Sequence, residues 1–91
     1  MRKYQQAVTD GIKLLNKQFP RWKRRIKLEK LHMASSQHCI LGQLYGSYGI
    51  GVNKIGLPPF NFTERCNHGF TTIHNFGALT REWKRQIKVV A

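Results

Sequence analysis

Apolar residues recur every three or four positions near both ends of this 91-residue chain, and this periodicity limits its possible folds more than any other feature. The first stripe consists of Tyr4, Ala7, Val8, Ile12 and Leu15. The last consists of Leu79, Trp83 and Ile87. Such spacing is typical of amphipathic helices that bury one face. We therefore predict helices over residues 3–17 and 77–89, the first ending before Pro20, which lacks an amide donor.

The middle of the chain predicts shorter helices. Ser35 or Ser36 is a suitable cap for a helix over residues 37–48, and Thr63 for a short helix before Gly69. Gly11 would weaken the first helix, so we expect a close helix contact there. Strand signals are weak throughout. We predict an all-α fold for residues 1–91, a small single-domain bundle of about four helices.

The sequence also bears on location. No apolar run approaches the ~18–20 residues that a membrane span needs. The polar start of the chain differs from the apolar region of a signal peptide. We expect a soluble, intracellular protein that does not associate with membranes.

Charge and metal-ligand side chains are divided along the sequence. All four His and both Cys lie between His32 and His74, where Lys54 and Arg65 are the only Lys or Arg residues. The other fourteen of the sixteen Lys and Arg lie outside this window, and the net charge is +12. A surface this positive attracts polyanions or acidic protein faces.

The central His and Cys residues are candidate ligands for a structural Zn²⁺, which accepts mixed thiolate and imidazole ligands. A chain of this size has a modest core, so a bound metal ion would stabilise its fold. The set we favour is Cys39, Cys66, His68 and His74. His32 or His38 is the alternative to His74. Ordinary burial of the cysteines is the competing interpretation, because the spacing matches no established zinc-finger pattern.

Two groups of cations are candidate partner-binding residues. They occupy the segment after Pro20 and one face of the last helix: Arg21, Lys23, Arg24, Arg25, Lys27, Arg81, Lys84, Arg85 and Lys88. Trp22 either stacks on a nucleic-acid base or anchors the core. The four acidic residues are too scattered for a two-metal nuclease site, so we do not expect an enzyme.

Over most of its length, the sequence resembles a family of small phage and prophage proteins. The likeness lies in the stretch HCILGQLYGSY from His38 to Tyr48, followed by His68-Gly69-Phe70 and by LTREW from Leu79 to Trp83. Some small phage proteins of this sort are anti-CRISPR proteins that inhibit the type II RNA-guided effector nuclease. The resemblance implies that Cys39, Gly42 and Gln43 are structurally central.

The resemblance also implies a function and a location. We expect a phage-encoded inhibitor that binds the nuclease in the cytoplasm of the infected bacterial host and blocks target DNA loading or cleavage. Many inhibitors of that nuclease are acidic DNA mimics, and a +12 chain would have to act differently. The alternative is a basic nucleic-acid-binding phage accessory protein.

Overall fold

The computed structural model describes residues 3–57 and 61–89, and all regular structure in these ranges is helical. The five α-helices are α1 (Gln5–Gln18), α2 (Ile40–Tyr45), α3 (Tyr48–Lys54), α4 (Phe62–Asn67) and α5 (Phe76–Val89). Two short 3₁₀ turns, Trp22–Arg25 and Leu28–Lys30, lie between α1 and α2. The all-α prediction is confirmed. None of the described helices combines the length and apolar character needed to cross a membrane.

The two long helices form where the periodic stripes predict them. Val8, Ile12 and Leu15 of α1 are buried, as are Leu79, Trp83 and Ile87 of α5. α1 packs against α5 and against α4, while α2 packs against α3 and the turn at residues 22–25. The longest helices therefore bring the two ends of the chain together.

Trp83 lies where several elements meet in the core. Its ring stacks on Phe70 with centroids 5.8 Å apart and meets the Trp22 ring edge-on at 6.1 Å. Its Nε1 donates a 2.6 Å hydrogen bond to the carbonyl of Gly69. Since the indole N–H is satisfied, complete burial of this large side chain carries no polar penalty.

The predicted close contact at Gly11 is present. A Cβ atom at this position would overlap the carbonyl oxygen of His68, which follows α4. It would also lie 3.1 Å from the Trp83 ring. α1 can therefore cross the end of α4 at this distance only with glycine at the crossing.

The single helix predicted over residues 37–48 is wrong, because the chain forms two helices with a break at Gly46 and Ser47. Gly46 adopts a φ of 102°, which side-chain-bearing residues rarely adopt. The Ser47 hydroxyl then accepts a 3.2 Å hydrogen bond from the Ile50 amide and starts α3. Each break residue thus satisfies a requirement of a helix end.

Two predicted caps are also wrong. Cys39, rather than Ser35 or Ser36, caps α2, and its Sγ accepts a hydrogen bond from the Gly42 amide. α4 is capped by Asn61, whose Oδ1 accepts from the Glu64 amide, in place of Thr63. Ser36 instead contacts the start of α3, where its carbonyl accepts a 2.8 Å hydrogen bond from the Tyr48 amide.

Candidate cationic binding surface

The segment after α1 is anchored by its aromatic residue. Trp22 is 1% exposed, and its Nε1 donates a 2.8 Å hydrogen bond to Oδ1 of Asn16. Its ring also contacts Trp83 edge-on. Trp22 is therefore a core anchor, and the alternative in which it stacks on a nucleic-acid base is wrong for this arrangement.

Burial of Trp22 turns the neighbouring cations outward. Arg21, Arg24, Arg25 and Lys27 are exposed, while Lys23 is partly buried. The Lys23 ammonium lies 5.8 Å from the centroid of the Trp22 ring, and the Arg25 guanidinium lies 5.6 Å from that of Phe19. These cation–π contacts hold the charged ends of two long side chains near aromatic rings.

Gln43 of α2 fixes the end of this cationic segment. Its Oε1 accepts a 2.7 Å hydrogen bond from the Lys27 amide, and its Nε2 donates to the Lys27 carbonyl at 3.3 Å. The same Nε2 donates to the carbonyl of His38 at 2.9 Å. One side-chain amide thus holds the backbone that carries Lys27 against the start of α2.

The second group of cations lies on the outer face of α5. Arg81, Lys84 and Lys88 follow one another at three- and four-residue steps, so they share one side of the helix. Arg81 and Lys88 are exposed, and Lys84 is partly buried. Arg85 lies beside this stripe, where its Nη2 forms a 2.9 Å ion pair with Glu82. Arg85 is thus less available to a partner than the other three.

The two groups belong to adjacent elements. Trp22 contacts Trp83 across the core, and the Met33 amide donates a 2.9 Å hydrogen bond to Oγ1 of Thr80 on α5. The segment after α1 therefore contacts α5 at two points, through Trp22 and Met33. We call the nine predicted cations on these elements the cationic surface: Arg21, Lys23, Arg24, Arg25, Lys27, Arg81, Lys84, Arg85 and Lys88.

Few carboxylates offset this charge. Among the described residues, Arg85 is the one member of the cationic surface that forms an ion pair with a carboxylate. The Glu64 carboxylate lies 3.8 Å from Nδ1 of His68, on α4. Within the described part of the chain the eight other cations have no such partner, so their potential extends into solvent.

Cys39, one of the four predicted zinc ligands, is committed to the fold. Cys39 is 1% exposed, and its Sγ caps α2. Burial raises the pKa of the Cys39 thiol, and the hydrogen bonds from amides at the start of α2 offset only part of this effect. A helix start can favour a thiolate, but desolvation outweighs the helix amides at Cys39.

The other predicted zinc ligands lie on α4, directly after it and in the loop before α5. Cys66 is half-buried on α4, and His68 follows that helix with Nδ1 2.8 Å from the Glu64 carbonyl. His74 is exposed in the loop before α5, and the alternatives His32 and His38 are exposed before α2. Burial also raises the pKa of the Cys66 thiol.

The described part of the chain contains no group of three or more His, Cys, Asp or Glu side chains placed to hold a metal ion. The set Cys39, Cys66, His68 and His74 thus does not form a four-ligand site in this arrangement, and zinc binding stays a prediction. Elemental analysis of the purified protein tests it: about one equivalent of zinc supports the prediction, and no metal refutes it.

Sequence reasoning missed the contribution of the N-terminal end to the surface beside α5. Tyr4 Oη lies 2.9 Å from Oγ1 of Thr72 and accepts a 3.2 Å hydrogen bond from the Asn75 amide. Gln86 of α5 also bonds to the start of α1, donating to the Gln5 carbonyl at 3.0 Å. Lys3 is thereby placed near α5. These contacts join residues about seventy or more positions apart, and local periodicity carries no signal for them.

Comparison of the chain with family models, with curated proteins and with solved structures finds no match in any of the three.

Proposed function

We propose that this chain is a binding protein that uses its cationic surface to contact an acidic or polyanionic target. The observation that carries the proposal is the set of eight cations, on two adjacent elements, that have no carboxylate partner among the described residues. A domain needs far less charge than +12 to stay soluble. Such a surface accelerates encounter with an oppositely charged partner and favours the correct orientation.

The target we propose is the type II RNA-guided effector nuclease of the infected bacterial host. The likeness of residues 38–48 to small phage proteins supports this choice, together with the small size and the charge of the chain. A cationic inhibitor would contact an acidic face of the nuclease or the phosphates of its bound nucleic acid. Either contact would obstruct loading or cleavage of target DNA, and neither requires a catalytic step.

Plasmid cleavage by the purified nuclease and guide RNA tests the inhibitory step. The protein should slow cleavage in a dose-dependent manner, and it should do so more strongly when added before the target DNA than after it. Cleavage at an unchanged rate with a large excess of protein, added in either order, would refute the proposed target.

A pull-down from bacterial lysate identifies the kind of partner. The tagged protein should retain the effector nuclease, and retention should survive digestion of nucleic acid if the contact is with the protein face. Loss of the nuclease after digestion would assign the contact to bound RNA or DNA. A lysate that contains the nuclease but yields none of it, with or without digestion, would contradict the proposal.

A further inference from the structure

A cleft of about 250 Å³ lies between the start of α1 and the middle of α5. It combines three cations with an aromatic ring and a small apolar side chain, and it is lined by Lys3, Tyr4, Ala78, Arg81, Glu82 and Arg85. Its volume is below the ~300–1,000 Å³ typical of sites for drug-sized ligands. The cleft therefore admits a single small unit rather than an extended segment.

Hydrogen bonds fix one wall of the cleft. The Tyr4 hydroxyl is held by Thr72 Oγ1 at 2.9 Å and by the Asn75 amide at 3.2 Å, so the ring has a defined position. The Lys3 ammonium lies 5.7 Å from the centroid of this ring. A rigid aromatic wall beside an ammonium group provides both an apolar face for stacking and a positive charge.

The cleft keeps positive charge despite the carboxylate in its lining. The Glu82 Oε2 accepts hydrogen bonds from Arg85 Nη2 at 2.9 Å and from Gln86 Nε2 at 2.8 Å. Arg85 thus offsets part of the charge of this carboxylate. Lys3, ahead of α1, and Arg81, on α5, form no ion pair with a carboxylate of the described residues. Three cations against one carboxylate leave a net attraction for a small anion.

We propose that this cleft binds one nucleotide unit of a single-stranded nucleic acid, with the phosphate between Lys3 and Arg81 and the base against Tyr4. A phosphate presents several acceptor oxygens and so suits donors that approach from two separate elements. A flat base suits the apolar wall of Tyr4 and Ala78, and only an unpaired base exposes its face for stacking. This inference goes beyond the proposed function and does not depend on the nuclease being the target.

Binding of a fluorescent oligothymidylate ten-mer, followed by anisotropy at low salt, tests the cleft with matched charge variants. Arg81→Gln and Lys3→Gln each remove a cation from the cleft, and each should weaken binding by about tenfold, or about 1.4 kcal/mol. Lys54→Gln removes one positive charge at an exposed position outside both the cleft and the cationic surface, and it should weaken binding by less than about threefold.

A second readout locates the ligand. The Asn75 amide donates to the Tyr4 hydroxyl, so its resonance in a ¹⁵N-correlated NMR spectrum should shift on addition of the ten-mer. The same spectrum shows that each variant is folded. Equal losses of affinity in Arg81→Gln and Lys54→Gln, with an unmoved Asn75 resonance, would overturn the inference in favour of diffuse electrostatic binding.

Two other outcomes would also overturn it. One is absence of oligonucleotide binding at low salt. This outcome would leave the proposed function untouched, because inhibition of plasmid cleavage is measured separately. The other is displacement of the ten-mer by an equimolar polyglutamate peptide that shifts the same Asn75 resonance, because this would assign the cleft to an acidic protein segment.

Discussion

At position 11 the space that a side chain would need is already filled by neighbouring atoms. A Cβ there would overlap the His68 carbonyl and press on the Trp83 ring. Gly11→Ala should therefore destabilise the protein by about 1–3 kcal/mol, although alanine favours a helix over glycine by about 1 kcal/mol. Urea unfolding followed by circular dichroism measures the change.

Gly49 provides the matched control for this substitution. It lies in α3, and a Cβ at this position would meet no atom within 4 Å. Gly49→Ala should stabilise the protein by up to about 1 kcal/mol through helix propensity alone. If Gly11→Ala were as stable as the wild type, the close crossing of α1 and α4 would be wrong.

The buried thiol of Cys39 makes the free energy of unfolding vary with pH in the alkaline range. Its pKa is raised by burial, so above the ordinary thiol pKa of about 8.5 the unfolded chain loses a proton that the folded chain keeps. The stability contributed by this group is complete below that pH and falls as pH rises toward the folded pKa. Cys39→Ser, which does not titrate in this range, should lose less unfolding free energy between pH 7 and pH 10 than the wild type.

Cys66→Ser is the control for the thiol effect. Cys66 is less buried than Cys39, and its pKa is raised by burial but lowered by the charge of Arg65. Its replacement should change the pH dependence less than replacement of Cys39. A wild-type pH dependence in Cys39→Ser would show that the thiol is not buried as described.

Among the elements, α3 begins with a side-chain cap. Ser47 caps α3 through its bond to the Ile50 amide. Ser47→Ala should cost about 1 kcal/mol of unfolding free energy, whereas Ser47→Asp keeps an oxygen acceptor and should stay close to the wild type. Urea denaturation of the three proteins measures this difference, and equal stability of the two variants would show that the cap contributes nothing.

The elements also show how far sequence periodicity extends. α1 and α5 end within two residues of their predicted bounds, because each carries a long apolar stripe with one buried face. The middle of the chain was predicted less well, since its helices span six or seven residues and their ends depend on Gly46 and on the contact between Ser36 and Tyr48. That contact joins residues twelve positions apart, so no periodic pattern in the sequence indicates it.

The candidate site was likewise predicted only in part. The sequence identified the cations of the cationic surface, because residue type alone assigns their charge. It did not identify Lys3 and Tyr4 as neighbours of α5, since the ends of the chain meet only through tertiary packing. Nor did it assign the position of Trp22, because the spacing that suits a core anchor also suits an exposed stacking residue.

For the whole molecule, binding should depend on where a charge is placed as well as on the net charge. Arg24→Glu reverses an exposed cation of the cationic surface. Lys54→Glu makes the same charge change at an exposed site in the segment from His32 to His74, which carries few charges. Inhibition of plasmid cleavage at low salt should fall at least tenfold for the first variant and less than threefold for the second. Equal losses would show that only the net charge matters.

The salt dependence of binding separates the two kinds of target. If the surface contacts nucleic acid, the logarithm of the affinity should fall linearly with the logarithm of salt concentration, with a slope of about −0.7 to −0.9 for each neutralised phosphate. Arg24→Glu should make this slope shallower. Affinity that does not change between 50 and 300 mM salt would contradict a cationic binding surface of either kind.

The two tryptophans of the chain give it a built-in optical signal. Both are buried, and their ring centroids lie 6.1 Å apart where α5 packs against the segment after α1. Emission from the native protein should therefore be blue-shifted, and separation of these elements should expose both indoles to water and shift it to the red. Because neither ring belongs to the cationic surface, an inactive charge variant with native emission has lost its binding and kept its core.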